Sequence, residues 1–316
     1  MSGPGPRGEG ALFAGVFTFV MAPSLRGARH TGNSLEGIAG PPPPGYNCGV
    51  DFAESLRTAR GRRRLSQLEL ATLAGTTQRH ISFIENGRSL PGRALVARLA
   101  DSLVLPPRER NALLLSAGYA PVYAQRDLAD PELAPAREAL GHVLAGHLPY
   151  PAVVIDRFGT VVAANDALSV LTDGCAPHLL RPPANLLRIA LHPQGMAPRV
   201  RNFRQWARHI TAAVGEEQRR DPDERLAALH TELAGYVAEL PAPSSEDSVL
   251  GFAVPMELAV GGRILRLMTT VAVFATAADV TIAELKLEAF LPADRATAEA
   301  LGAFAEERAG RQASPV

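Results

Sequence analysis

Apolar positions change period along the chain, and each change marks a boundary between parts. From Asp51 to Ala117 they recur at helical spacing in short stretches divided by short turns, which predicts a set of short helices. Tyr119 to Asp130 bridges to a further helical pattern over Pro131–Ala145, with Leu133, Leu140, Val143 and Leu144 on one face. At Pro151 the period drops to two. Ala152–Ile155 predicts a strand, Asp156–Gly159 a turn and Thr160–Ala164 a second strand. Helical stretches run from about Ala167 to Tyr236, and Pro241–Ser248 reads as a loop. Phe252, Val254, Met256, Leu258 and Val260 then alternate as a half-buried strand, which Gly261-Gly262 turns back into Ile264–Phe274. Thr281 and Glu284 have capping-box spacing and predict a helix opening there; Asp294 caps another that runs to about Arg308.

A length of 316 residues suits roughly two domains, and an apolar share of 47% suffices for buried cores. Residues 1–49 are rich in Gly and Pro and end in Pro41-Pro42-Pro43-Pro44-Gly45, the composition of a disordered tail. The apolar run Ala11–Ala22 is too short to span a membrane and lacks the positive flank of a secretory signal. Cys48 and Cys175 offer neither a disulfide framework nor metal-ligand spacing, which points to a reducing, cytoplasmic setting. Net charge is zero but uneven: +1 over residues 1–50, +5 over 51–118 and −6 over 119–316. A basic segment joined to an acidic one fits a nucleic-acid-binding module attached to something else.

The densest local signal runs from Leu65 to Arg88. Ser66 and Glu69 form a capping box, so a helix starts at Gln67 with Leu70, Ala71 and Ala74 facing inward. Gly75 permits a sharp turn, Thr77 caps the next helix, and Asn86-Gly87 ends it. With Ile81 and Ile84 buried, Gln78, Arg79, Ser82 and Phe83 are expected to point outward. Gln can pair with adenine, Arg with guanine, and Phe83 can meet a thymine methyl. Gln67 at a helix start suits a phosphate, and Thr77, Asn86 and Arg88 can hold further backbone oxygens.

These residues resemble a known family. Leu65-Ser66-Gln67, Leu70-Ala71, Ala74-Gly75, Ile81-Ser82 and Glu85-Asn86-Gly87-Arg88, followed by Pro91, are similar to the phage-repressor (Cro/C1) helix-turn-helix, the xenobiotic-response-element type. The resemblance implies an all-α five-helix DNA-binding domain over 51–118, with helices at Phe52–Arg60, two in the motif, about Arg93–Leu103 and Pro107–Ala117. It also implies a homodimer on palindromic double-stranded DNA. By the same resemblance Gln67 and Arg88 hold phosphates, while Gln78, Arg79 and Phe83 face bases.

The rest of the chain resembles MmyB-like regulators. The similarity lies in Pro149–Asp156, Val162–Asn165, Asn185–Arg188 through His192-Pro193, Thr269-Thr270 to Phe274, Asp279-Val280-Thr281 and Phe290–Asp294. That implies an α+β PAS-like sensor domain over 148–308, reached through a connecting segment at 119–147 and followed by a tail at 309–316. A strand pair, intervening helices and a later hairpin fit such a domain, and its alternating Val, Leu and Met residues either line a pocket for a small apolar ligand or form plain core. Trp206 with Phe203 reads as a helix face packed on the sheet. His192, Arg199 and Arg201 could meet an anion, but no His, Cys or acid spacing makes a metal site, and no cofactor is called for. Phosphate loops, G-x-S-x-G elbows and H-E-x-x-H motifs are missing from the sequence, so no enzyme is expected. Two readings stay open: a ligand-responsive regulator, or a constitutive DNA binder whose second half only dimerises.

Overall fold

The computed structural model describes residues 48–238, 254–274 and 277–313. Residues 1–47 of the Gly/Pro-rich tail, the apolar run at 11–22, the loop at Pro241–Ser248 and Phe252 lie outside the described residues, while residues 48 and 49, expected in the tail, begin the first helix. Among the described residues the chain divides into two compact units: one holds 137–238, 254–273 and 285–313, the other 48–136, 274 and 277–284.

In the second of these units five helices carry the core: α1 (Cys48–Arg62), α2 (Gln67–Leu73), α3 (Gln78–Glu85), α4 (Arg93–Ser102) and α5 (Pro107–Ser116). Phe52, Leu56, Leu70, Ile81, Ile84, Leu99 and Leu103 are the large side chains sealed inside it. α2 starts where the sequence marks it, with Glu69 N–H donating to Ser66 Oγ at 3.2 Å and Ser66 N–H to Glu69 Oε2 at 2.7 Å. Beyond α5 the chain is pinned by Asn111, whose carboxamide donates to Tyr123 O at 2.7 Å and accepts from Val122 and Tyr123 N–H at 3.0 and 3.1 Å.

The same unit contains α12 (Val280–Ala283). Thr281 does not open it: Asp279 is the cap, accepting from Thr281 N–H at 2.8 Å, and the helix lasts one turn. Val280 N–H donates to Ala124 O at 2.8 Å, Thr281 Oγ1 to Arg126 O at 2.6 Å, and Arg126 pairs with Asp279 at 3.1 Å. Arg108 of α5 grips Glu284 with two bonds, the Nη2–Oε2 one at 2.8 Å. Residues 277–284 are thereby bonded into a unit built mostly from the first half of the chain.

The other unit is α+β. Its sheet is wholly antiparallel, in the order β2 (Val161–Ala164), β1 (Ala152–Ile155), β5 (Lys286–Pro292), β4 (Arg263–Val273), β3 (Met256–Val260). Gly261 and Gly262, at φ +54° and +77°, make the β3–β4 hairpin turn that needs two positive-φ residues. The strand β5 is not legible in the apolar pattern, yet it is the central one. Between β2 and β3 lie α7 (Ser169–Thr172), α8 (Pro177–Leu180), α9 (Leu186–Leu191), α10 (Phe203–Arg220) and α11 (Glu224–Val237). Before β1 stands α6 (Ala134–Ala145), where Leu140 and Leu144 are buried but Val143 is 38% exposed. Val143 is therefore not on the inward face, being one residue off the 140/144 stripe. After β5 comes α13 (Arg295–Ala313), capped by Asp294, which accepts from Thr297 N–H at 2.7 Å; the helix takes in residues 309–313.

One face of the sheet meets the main core. Val153, Ile155, Phe290, Leu265, Leu267, Met256 and Leu258 face Leu171, Leu191, Trp206, Leu226, Leu229 and Leu233 from the helices. On the opposite face, Asn165 holds the edge strand in place. Its carboxamide accepts from Ala152 N–H at 3.1 Å and donates to Leu144 O at 3.1 Å and Tyr150 O at 2.9 Å. No helix among the described residues is long and apolar enough to cross a membrane.

Candidate nucleic-acid interface

The turn into α3 depends on Gly75. At φ +63° it takes a conformation that a Cβ would strain, and it lets Thr76 N–H reach back to Ala71 O at 2.9 Å. Thr77 then caps α3 by accepting from His80 N–H at 3.2 Å, and Thr76 Oγ1 lies 3.0 Å from His80 Nδ1. At the far end Gly87, at φ +69°, closes the helix: its N–H donates to Ile84 O at 3.0 Å and that of Arg88 to Phe83 O at 2.8 Å.

α3 buries Ile81 and Ile84 and turns Gln78, Arg79, Ser82 and Phe83 the other way. These four form one strip, because 78 and 82, like 79 and 83, are four residues apart. Gln78 and Arg79 are exposed, and Ser82 and Phe83 are half-buried. The Arg79 guanidinium sits over the Phe83 ring at 5.2 Å, a cation–π contact that orients a group otherwise free to swing. Thr77, Asn86 and Arg88 are exposed around the strip, with the Asn86 amide donating to Ser82 O at 2.8 Å. A carboxamide and a guanidinium side by side on an exposed helix face present the two donor–acceptor forks that match purine edges.

What holds this face steady was not evident from the sequence. Glu85 is buried at the end of α3, with its side chain only 2% exposed, and Arg60 of α1 clamps it at 2.6 and 2.9 Å. Gln67 of α2 donates to its Oε2 at 2.8 Å, and Arg57 of α1 donates to its backbone carbonyl. Burial pushes the Glu85 carboxyl up, but the hydrogen bonds from Arg60 and Gln67 outweigh it and hold the group below the usual carboxylate range. Arg60 also donates to Leu65 O at 2.6 Å, closing the α1–α2 loop. One carboxylate therefore fixes three helices relative to one another. The Gln67 amide, expected at the surface for a phosphate, spends one N–H on this internal contact. The signal that could have found Glu85 was its spacing: it follows Ile81 by four and Ile84 by one, on the buried face.

Within the sheet unit the residues singled out as anion or pocket candidates do not converge. Met256, Leu258, Leu265 and Leu267 are wholly buried core. His192 packs edge-on between His178 and Tyr236, with ring centroids 5.8 and 5.2 Å away. Arg199 donates to Leu171 O and lies 3.6 Å from Cys175 Sγ, and its Nε is buried without a hydrogen bond among the described residues. Arg201 is exposed. His147 Nδ1 lies 2.7 Å from Val143 O, and no cluster of metal-ligating side chains occurs among the described residues.

Comparison with known proteins assigns both units. Residues 51–113 match a helix-turn-helix domain, and residues 136–303 match the MmyB-like transcription regulator ligand binding domain. The HTH-type transcriptional repressor RghR of Bacillus subtilis (strain 168) is 41% identical over 69 residues, 22% of this chain and 49% of that protein. The chain thus spans about half the length of that relative. The restriction-modification controller protein C.AhdI from Aeromonas hydrophila shares 33% identity over 19% of this chain and 92% of its own, with a TM-score of 0.19.

Proposed function

The chain belongs to the MmyB-like transcription regulators, with a helix-turn-helix and a ligand-binding domain, and on that premise we propose how the two parts divide the work. The helical unit, residues 51–118, reads a palindromic operator in double-stranded DNA as a homodimer in the cytoplasm. α3 enters the major groove. Gln78, Arg79, Ser82 and Phe83 meet base edges, while Gln67, Thr77, Asn86 and Arg88 hold phosphates. The observation that carries this reading is the exposed strip on α3, pre-oriented by the Arg79–Phe83 contact and fixed from behind by Glu85. The chain acts by binding, not by catalysis.

Selection of genomic fragments at near-physiological salt tests it, with a Gln78→Ala/Arg79→Ala variant alongside. The wild type is expected to enrich a palindrome with half-sites about one helical turn apart, and the variant to lose it. Equal enrichment by both would sink the assignment of these residues, because phosphate contacts alone give binding without sequence preference.

The segment from 148 to 308 is proposed as a sensor whose occupancy by a small molecule changes DNA affinity, with 119–147 as its connection. Support comes from the path of the chain. Residues 277–284 are bonded into the helical unit, but the chain enters them from β4 and leaves them into β5. A ligand that shifts those strands therefore pulls covalently on the reader. Operator affinity that stays constant across a panel of small molecules shown to bind would favour a purely dimerising role instead.

A further inference from the structure

The helix-covered face of the sheet is sealed along β3 and the first half of β4 and is less covered along the second half of β4. Along β3 and the first half of β4, Met256, Leu258, Leu265 and Leu267 are fully buried. Further along β4 on the same face, Thr269 is exposed and Val271 and Val273 are half-buried. The register places Glu288 of β5 directly beside Val271, with Val153 of β1 on its other side. A half-buried carboxylate thus stands in a row of valines on the central strand. Among the described residues nothing donates a hydrogen bond to it or pairs with it. Two residues back on the same strand and face, Lys286 is already committed to Glu217 of α10. With Glu288 ionised, the local sum is one uncompensated negative charge on an apolar floor.

We propose that Glu288 is the counter-ion of a ligand subsite that takes an organic ammonium with an apolar body, the body lying on Val271 and Val273. This deepens the sensing role proposed above and rests on it. The physical reasons are charge and shape. An acidic ligand would bring like charges together beside the half-buried carboxylate, and a neutral one would offer it no opposite charge. An ammonium neutralises it while an alkyl or aryl body covers the half-exposed valines.

Burial pushes the Glu288 carboxyl up to about 7; Lys286 draws it down and Glu217 adds to the rise. β1 and β4 flank it with Val153 and Val271, and α13 brings the apolar Ala300, Leu301 and Phe304 to the same core. Lys286 and Glu217 are therefore the charges that bear on its titration. A carboxyl with a pKa near 7 goes from about one-tenth ionised at pH 6 to about nine-tenths at pH 8. Binding of a cation should strengthen by about tenfold over that interval, because only the ionised form attracts it.

The test is calorimetric titration of the full chain with n-octylamine, octanoate and 1-octanol at pH 6, 7 and 8. Octylamine, charged throughout this range, is expected to bind at least tenfold more tightly than the other two and to gain about tenfold from pH 6 to 8. Glu288→Gln should weaken octylamine at pH 8 by at least tenfold and flatten the profile. A preference for octanoate, a flat wild-type profile, or undiminished binding by the variant would each overturn the proposal. If Trp206 fluorescence shows Glu288→Gln unfolded, the wild-type pH profile and the ligand preference decide alone. Operator affinity is measured with and without octylamine in parallel. Glu288-dependent binding without any change in operator affinity supports the subsite and counts against sensing. A change in operator affinity that Glu288→Gln leaves intact overturns the subsite and leaves sensing standing.

Discussion

Glu85→Ala should strongly destabilise the helical unit, and the size follows from its surroundings. The substitution removes a carboxylate whose side chain is 2% exposed and strands Arg60, itself 17% exposed, between α1 and α2. Breaking a buried ion pair on one side costs about 3–5 kcal/mol. Arg60 keeps its bond to Leu65 O and some access to water, which places the expected loss near ~3 kcal/mol, the lower end. At about 4–8 °C per kcal/mol for a domain of this size, the melting transition should fall by roughly 12–24 °C. Trp206 is the sole tryptophan and lies in the sheet unit, so fluorescence follows that unit alone. Helical circular dichroism lost without a fluorescence change then reports the helical unit. In a double-mutant cycle, Arg60→Ala/Glu85→Ala should lose less than the sum of the single changes, by at least ~1.5 kcal/mol. Additive losses, or a transition within a few degrees of the wild type, would refute the hub. The pH dependence has a definite sign. Because folding lowers the Glu85 pKa, its contribution is complete above the unfolded carboxyl value and is lost as pH falls through the folded one. Glu85→Gln should remove that acid-side loss.

Gly75→Ala should destabilise the helical unit by about 1–2 kcal/mol purely through backbone strain, since φ is +63° and nothing lies within 4 Å of a Cβ there; thermal melting checks it. Gly195→Ala is the opposite case: its Cβ would sit 2.1 Å from Ile189 O, so the sheet unit should lose its cooperative Trp206 transition or unfold outright. Asn165→Ala strips three internal bonds from a residue 9% exposed and should lower sheet-unit stability by about 2–4 kcal/mol in urea titrations followed by fluorescence. Arg79→Lys keeps the charge but loses the planar fork over Phe83, so it should cost about 1–3 kcal/mol of discrimination at one base position while barely changing the salt dependence of DNA binding.

The helical unit was legible almost residue by residue because its signals are local and agree. Ser66 with Glu69, Gly75, Thr77 and Gly87 each sit within a few residues of the bond they make. Glu85 escaped because its partners are 25 and 18 residues away, and nothing in a sequence window says that an acid on an apolar face will meet a guanidinium. β5 was obscured for two reasons. Thr281 and Glu284 imitate a capping box, when the cap is Asp279 and the helix stops after one turn. The strand that follows carries Lys286 and Glu288 on the face turned toward the core, so its alternation marks Leu287 and Ala289 as the core side, and Phe290 then breaks it. The outward strip on α3 could be listed from periodicity, but its stiffening by the Arg79–Phe83 contact could not.

The strand order has a consequence for the nascent chain. β1–β2 and β3–β4 can each pair as they emerge from the ribosome, but the slot between them is filled only by the last strand made. Until translation passes Pro292, the inner edges of β1 and β4 stand open side by side, with rows of N–H and C=O groups that any extended peptide could borrow. A ribosome stalled or released before Lys286 would therefore leave a folded helical head trailing two half-sheets with sticky rims. Such products should be the aggregation-prone and chaperone-bound ones, whereas chains that run past β5 close the sheet.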